Sequence, residues 1–408
     1  MAVESILGNR VLPRIVSGVL AVLAGTAVAL APLPVPAHGV ARAPQTRSAL
    51  PPATVPSARL PSARSLLEGI PSTPRPADLE GRLTGLERRL FADAAGGRLD
   101  EFPLLAASLI ASGVADEATL HRYLVRAEAL ADEVAARLPV DGPPLHRAET
   151  LFDFLHERVL AGGYRIDATD LRVTLDDGHF NCVSATVLFH GFAQRFHLSV
   201  QALQAPGHVM ARLAIGEDAV DVETTYPGWF RTLNDPVRQA EAIAAAGGAA
   251  ALVRREIGEV ELLATIYYNR GVDLLAEGRF AEAVAANAKA LRLDPANATA
   301  EGNLLASINN WAIALGAERR FAEAAALLRT GLALQPDYET FALNFVYVHH
   351  QWVEDLWESA AYSRAAEVLR TGAAVRPGEP YFDAALFENT RRQAEASGSQ
   401  FDMPRKPS

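Results

Sequence analysis

Apolar residues recur at helical spacing at Leu79, Leu83, Leu86 and Leu90, and three more amphipathic segments follow over 102–112, 118–138 and 146–160. The pattern predicts four helices leading into the middle of the chain. Residues 165–177 are polar and read as a loop or short strand. Beyond them Ala185, Phe189, Phe192 and Phe196 again fall at helical spacing, behind Asn181, a residue well suited to cap a helix. The run 208–215 alternates as a strand, Gly216-Glu217-Asp218 reads as its turn, and 219–224 as the returning strand. An Ala-rich connector over 233–258 leads to the last third of the chain.

That last third repeats. Phe280, Phe321 and Tyr362 are spaced 41 residues apart, and Ala283, Ala324 and Ala365 keep the same offset, as do Ala290, Gly331 and Gly372, and Pro295, Pro336 and Pro377. Three helical hairpins are implied over 259–398, with 381–396 as a terminal capping helix and 399–408 as a tail. The first unit, from Tyr267 through Gly278-Arg279-Phe280 to Pro295, resembles a tetratricopeptide repeat. That family's period is about 34 residues, and the excess of roughly seven equals about two helical turns, so each first helix lengthens without turning its buried face. Asn303, Asn309, Asn310, Asn344, His349, His350 and Trp352 fall on the long helices, where they line a candidate groove for a protein or peptide.

The ends change the picture. Arg10 and Arg14 precede an uncharged run over 15–30, and Val35-Pro36-Ala37 has the small-residue pattern of a cleavage site. Residues 1–37 therefore read as a signal peptide or, if uncleaved, an N-terminal membrane anchor. Either way the rest of the chain is exported, to a periplasm or cell envelope. Residues 38–78, rich in Pro and Ala, read as a disordered tether. The 38 basic and 48 acidic side chains of the 408 residues leave a net charge of -10, which argues against nucleic acid as a partner.

Export gives the single cysteine its interest, because an oxidising compartment normally uses thiols in pairs and Cys182 has none to pair with. It stands where a helix begins, at the positive end of the helix dipole, although that effect alone is worth only about 0.3–1 kcal/mol. A reactive thiolate needs an imidazolium beside it. His208, after Pro206-Gly207, is the candidate. Asp221 and Glu223 share a face of the returning strand, and either could orient its ring. A turn centred between Ile215 and Gly216 sets His208 against Glu223, whereas one inside 213–215 sets it against Asp221. The glycine favours Glu223. Asn181 and His179 flank the thiol as candidate substrate-binding residues. Asp176, Asp177 and His179 crowd one turn rather than a rigid element, so neither a metal nor a cofactor is expected. His121, His146 and His156 read as surface or satisfied core histidines, and His190 and His197 as helix-surface residues.

Asn-Cys-Val-Ser-Ala, Pro-Gly-His and Val-Glu-Thr-Thr, in that order, resemble the transglutaminase-like branch of the papain-like fold, most of all its short bacterial SirB-type variant. The resemblance spans roughly 79–230 and implies catalytic roles for Cys182, His208 and Glu223. The usual third residue of that family is Asp followed by Pro-Thr, where this chain has Glu223-Thr224-Thr225. The implied architecture is α+β: a helical lead-in and small antiparallel sheet over 79–232, followed by an all-α array of tetratricopeptide type. Two function classes follow. One is an exported thiol peptidase or amidase using a Cys-His-Glu triad, with backbone N–H groups at the helix start serving the oxyanion. The other is a catalytically silent binding module in an envelope scaffold assembled through its repeats.

Overall fold

The computed structural model describes residues 74–139, 141–205, 207–245 and 254–398. The expected signal segment and nearly all of the tether lie outside these residues, as does Pro206. Among the described residues no helix is long and apolar enough to cross a membrane. The architecture is mostly helical, with a small antiparallel sheet and a C-terminal all-helical region.

The four expected lead-in helices are α1 (Gly85–Asp93), α2 (Leu104–Ala111), α3 (Glu117–Ala135) and α4 (Pro144–Arg158). Thr84 and Asp116 cap α1 and α3 by accepting from Glu87 N and Thr119 N. The polar stretch read as a loop or strand proves partly helical. β1 (Gly163–Tyr164) is followed by α5 (Leu171–Asp177), which Asp170 caps at its start and Gly178 ends at φ 76°. β1 pairs in parallel with β2 (His179–Phe180), bringing the chain directly to the thiol. The thiol heads α6 (Cys182–Arg195), an almost wholly buried helix.

The sheet has the order β5-β4-β3-β6, built from β3 (Val200–Ala205), β4 (His208–Ile215), β5 (Asp218–Val222) and β6 (Arg255–Ile257). Its core face carries Val200, Ala202, Val209, Ala211, Leu213, Val222 and Ile257 into one cluster with α6 and the lead-in helices. Ile215 pairs with Asp218, so the β4–β5 turn holds only Gly216 and Glu217, with Gly216 at φ 63°. The expected centre was nearer the N-terminus, and the tight two-residue turn moves the register. The connector is not a passive spacer either. After a short helix α7 (Pro236–Ala245) it supplies β6, the edge strand beside β3.

The C-terminal region consists of α8 (Glu259–Ala276) with α9 (Phe280–Leu293), α10 (Ala298–Ala317) with α11 (Phe321–Leu334), α12 (Glu339–Glu358) with α13 (Tyr362–Val375), and α14 (Pro380–Ala396). The second helices begin on Phe280, Phe321 and Tyr362, all packed against the core, with Phe321 7% exposed. A Cβ on Gly331 or Gly372 would lie 2.6 Å or 2.2 Å from the rings of Phe341 and Phe382. In the first unit the same two positions are Ala290 and Ala300, both fully buried. The small residue therefore exists to receive a ring from the next helix, and where the ring is lost the glycine is lost with it.

The two halves of the chain interlock. Residues 76–78, assigned to the tether, form with Leu79 a 3-10 helix against α9, and Arg292 donates to Glu80 at 2.8 Å. Lys289 donates to the buried Glu87 of α1 at 2.7 Å. Between them lies a cavity of about 450 Å³ lined by residues that include Glu80, Glu87, Tyr267, Arg270 and Lys289. Its Lys289–Glu87 pair and the bond from Arg270 to Ala111 O mark it as the seam between the halves, away from the thiol.

Candidate active site

Asn181 explains how the thiol is placed. Its Oδ1 accepts from Val183 N at 2.9 Å and Ser184 N at 3.1 Å, while Ser184 Oγ accepts from Asn181 N at 2.9 Å. This reciprocal cap fixes the first turn of α6 with Cys182 as its first residue. The other end of the Asn181 amide donates to Thr169 Oγ1 at 2.6 Å and to Ile166 O at 3.1 Å. Only 2% exposed and engaged at both ends, Asn181 is a scaffold for the thiol. The structure places this candidate substrate-binding residue next to the thiol, with its side-chain amide already bonded within the chain.

His208 opens β4 at the end of the sheet reached by the start of α6. Its Nε2 donates to Glu223 Oε2 at 2.7 Å, and both side chains are buried, at 3% and 0% exposure. The β4–β5 ladder ends at Ala211–Val222; continued, it would set Glu223 against Met210, two positions from His208 on the same face and within diagonal reach. Glu223 Oε1 accepts from Thr225 N at 3.0 Å and Thr225 Oγ1 at 2.7 Å, so both carboxylate oxygens are held. Asp221 is directed elsewhere, to Arg212 at 2.7 Å and Arg254 at 2.9 Å.

The half-buried Cys182 acts on the same imidazole. Burial disfavours the charged ring, but its contacts with Cys182 and Glu223 outweigh burial and raise it to about 10. The charged ring is thus favoured, with its Nε2 held on the Glu223 carboxylate. Nδ1, the nitrogen not bonded to Glu223, is fully buried.

The charge of the thiol acts on two tyrosines. Tyr164 of β1, 48% exposed, stacks edge-on to Phe180; burial first, then the charges of Cys182 and Glu223, push its phenol up to about 12. Tyr268 comes from α8 and is also raised, by burial and then by Cys182. His179 is partly open, with Nδ1 3.4 Å from Gly163 O. His156 meets Thr224 O at 3.1 Å and packs edge-on to Phe180, and burial lowers it to about 4. His190, expected on the surface, is 5% exposed near Glu259 and likewise lowered to about 4 by burial. Asp176 accepts from Tyr123 Oη at 2.6 Å and from Arg126 at 3.2 Å, so that part of the crowded turn serves packing. No group of three or more potential metal ligands occurs among the described residues.

Sequence reasoning did not find Thr225, Thr169, Tyr164 or Tyr268. For Thr225 there was a signal, since a threonine two residues after an acid can close a turn onto the carboxylate. Comparison with family models, curated proteins and solved structures yields no match, so the chemistry rests on this geometry alone.

Proposed function

We propose that the chain is an exported thiol hydrolase of transglutaminase-like, SirB-type character, acting on a peptide or amide. The reading is carried by one observation: a buried imidazole bonded to Glu223 at 2.7 Å whose charge the nearby Cys182 also favours. In the proposed reaction the Cys182 sulfur attacks the carbonyl carbon, forming a C–S bond while the C=O electron pair moves onto oxygen. His208 holds the former thiol proton and gives it to the leaving amine, and Glu223 keeps the ring oriented and its charge compensated. Water, deprotonated by the then neutral His208, hydrolyses the thioester and restores the thiol. Hydrolysis is favoured over crosslinking because nothing in the chain specifies an amine-acceptor site.

The C-terminal hairpins are read as repeats of tetratricopeptide type that bind a protein or peptide, and residues 1–37 as the signal or anchor that places the chain in a periplasm or envelope. The 41-residue recurrence and the hairpin boundaries at Phe280, Phe321 and Tyr362 support the repeat reading.

Alkylation of Cys182 tests the chemistry. At about pH 6 iodoacetamide should modify it at least ~10-fold faster than a free model thiol, and His208→Ala should abolish most of that advantage. A thiol that stays inert in the folded protein, or reacts equally well without His208, would leave the silent binding module as the better account.

A further inference from the structure

The β4–β5 ladder stops at Ala211–Val222, one residue short of Glu223, which therefore takes its position from what holds the residues after it. Thr186 lies four residues after Cys182, about one turn along α6 on the same face. Its Oγ1 stands 2.8 Å from Thr224 Oγ1 and donates to Val209 O at 3.4 Å. A hydroxyl has a single proton, so with that of Thr186 on Val209 O it is Thr224 that donates within the pair. Thr224 directly follows Glu223, and Val209 directly follows His208. One side chain on the helix of the sulfur thus bonds the neighbour of each of its two partners. Thr224 is held from the other side as well, its carbonyl oxygen accepting from His156 Nε2 at 3.1 Å. Both threonines are buried. Valine has the same shape, and a buried hydroxyl is costly unless bonded, so the bonds rather than the packing account for threonine at both positions.

We propose that Thr186 is a positioning residue of the triad: its hydroxyl, through Thr224 and Val209, sets the acid and the imidazole relative to the sulfur that heads its own helix. The inference rests on the thiol-hydrolase reading above and adds to it a residue that touches neither substrate nor the reacting atoms. The bonds from Thr225 to Glu223 Oε1 fix the carboxylate within its own turn but not relative to α6. Apolar contacts between helix and sheet hold the two together without direction, because burial of area does not specify register. A hydrogen bond does specify it, since it weakens steeply once donor and acceptor fall out of line. Thr186 supplies that directional tie from inside the core, one turn below the thiol.

Urea unfolding and iodoacetamide alkylation of the full chain separate positioning from stability. Thr186→Val keeps the shape but leaves the Thr224 hydroxyl buried without its partner, so its urea midpoint should fall. Combining it with Thr224→Val removes both hydroxyls and should recover most of that loss. Reactivity should not follow. Alkylation of Cys182 at about pH 6 should drop on the order of tenfold in the single and the double variant alike. At about pH 9, where a thiol ionises unaided, both should stay within about twofold of wild type. Thr186→Ser, which keeps the hydroxyl, should alkylate like wild type at both pH values. Undiminished alkylation at pH 6 in the valine variants, or a rate that returns with stability in the double variant, overturns the proposal and leaves the hydrolase reading standing. So does an equal fall at both pH values, or a loss in Thr186→Ser. A wild-type thiol no faster at pH 6 than a free model thiol overturns both readings together. Should Thr186→Val alone fail to fold, the double variant carries the test, because it leaves neither hydroxyl of the pair unpartnered.

Discussion

Asp221 lies directly across the β4–β5 ladder from Arg212 and accepts its Nε at 2.7 Å, with Arg254 on its other oxygen at 2.9 Å. Two guanidinium groups thus tie one of the two candidate acids to the sheet surface and leave Glu223 to the imidazole. Glu223→Gln should lower the alkylation rate of Cys182 at about pH 6 by roughly tenfold, the weight of a hydrogen bond to a charged group. Asp221→Asn should stay within about twofold of wild type. The reverse order in that assay would move the triad acid to Asp221.

The stability of the native state should peak near pH 6.5 in its histidine-dependent part. The His208 ring is raised to about 10, so its contribution is fully present below the unfolded value of 6.5 and is lost as pH climbs toward 10. Burial lowers His156 and His190 to about 4, so their contribution is present above 6.5 and is lost as pH falls toward 4. Urea midpoints measured across this range should form a dome, and His208→Gln should flatten its alkaline limb alone. An alkaline limb that persists in the variant would contradict the charged state assigned to His208.

Gly331→Ala sets two effects against each other. Alanine gains about 1 kcal/mol over glycine in a helix interior, yet its Cβ would meet the Phe341 ring 2.6 Å away, and overpacking of this kind costs about 1–3 kcal/mol. The single variant should be destabilised or, at best, neutral. In a Phe341→Leu background the same change should become stabilising by about 0.5–1 kcal/mol, a sign reversal that chemical denaturation can read. Additive effects would mean that glycine and ring do not constrain each other.

Lys289→Met should destabilise by about 3–5 kcal/mol, because it leaves the Glu87 carboxylate buried without its cation. Adding Glu87→Gln should recover most of that loss. Thermal melting of the two single variants and the double variant decides, and no recovery in the double variant would show that the pair matters through packing of the lysine stem.

Local patterns carried much of this structure. The Asn181 cap, the glycine in the hairpin turn and the 41-residue recurrence are each signalled by residues near one another in sequence, and the Cys182 helix, strands β4 and β5 and the hairpin boundaries fall where they point. What stayed hidden depends on distant partners. α5 is a single short helix with no long apolar stripe to declare it, and β6 is three residues whose pairing requires β3. His190 looks like a surface residue until α8 packs over α6. Within the site, Cys182, His208 and Glu223 could be singled out by type and order, and Asp221 set aside only by its contacts with Arg212 and Arg254.

The edge strand β6 also has a bearing on how the molecule is made. Cys182 and His208 are synthesised well before Arg255–Ile257 completes their sheet, and before α8 can cover α6. Until then the chain holds a free thiol and an unpaired edge on β3, the features most prone to misoxidation and to strand pairing between molecules. Contacts so far apart along the chain also form slowly. A chain truncated before residue 258 should therefore emerge as an aggregating fragment rather than as a smaller enzyme.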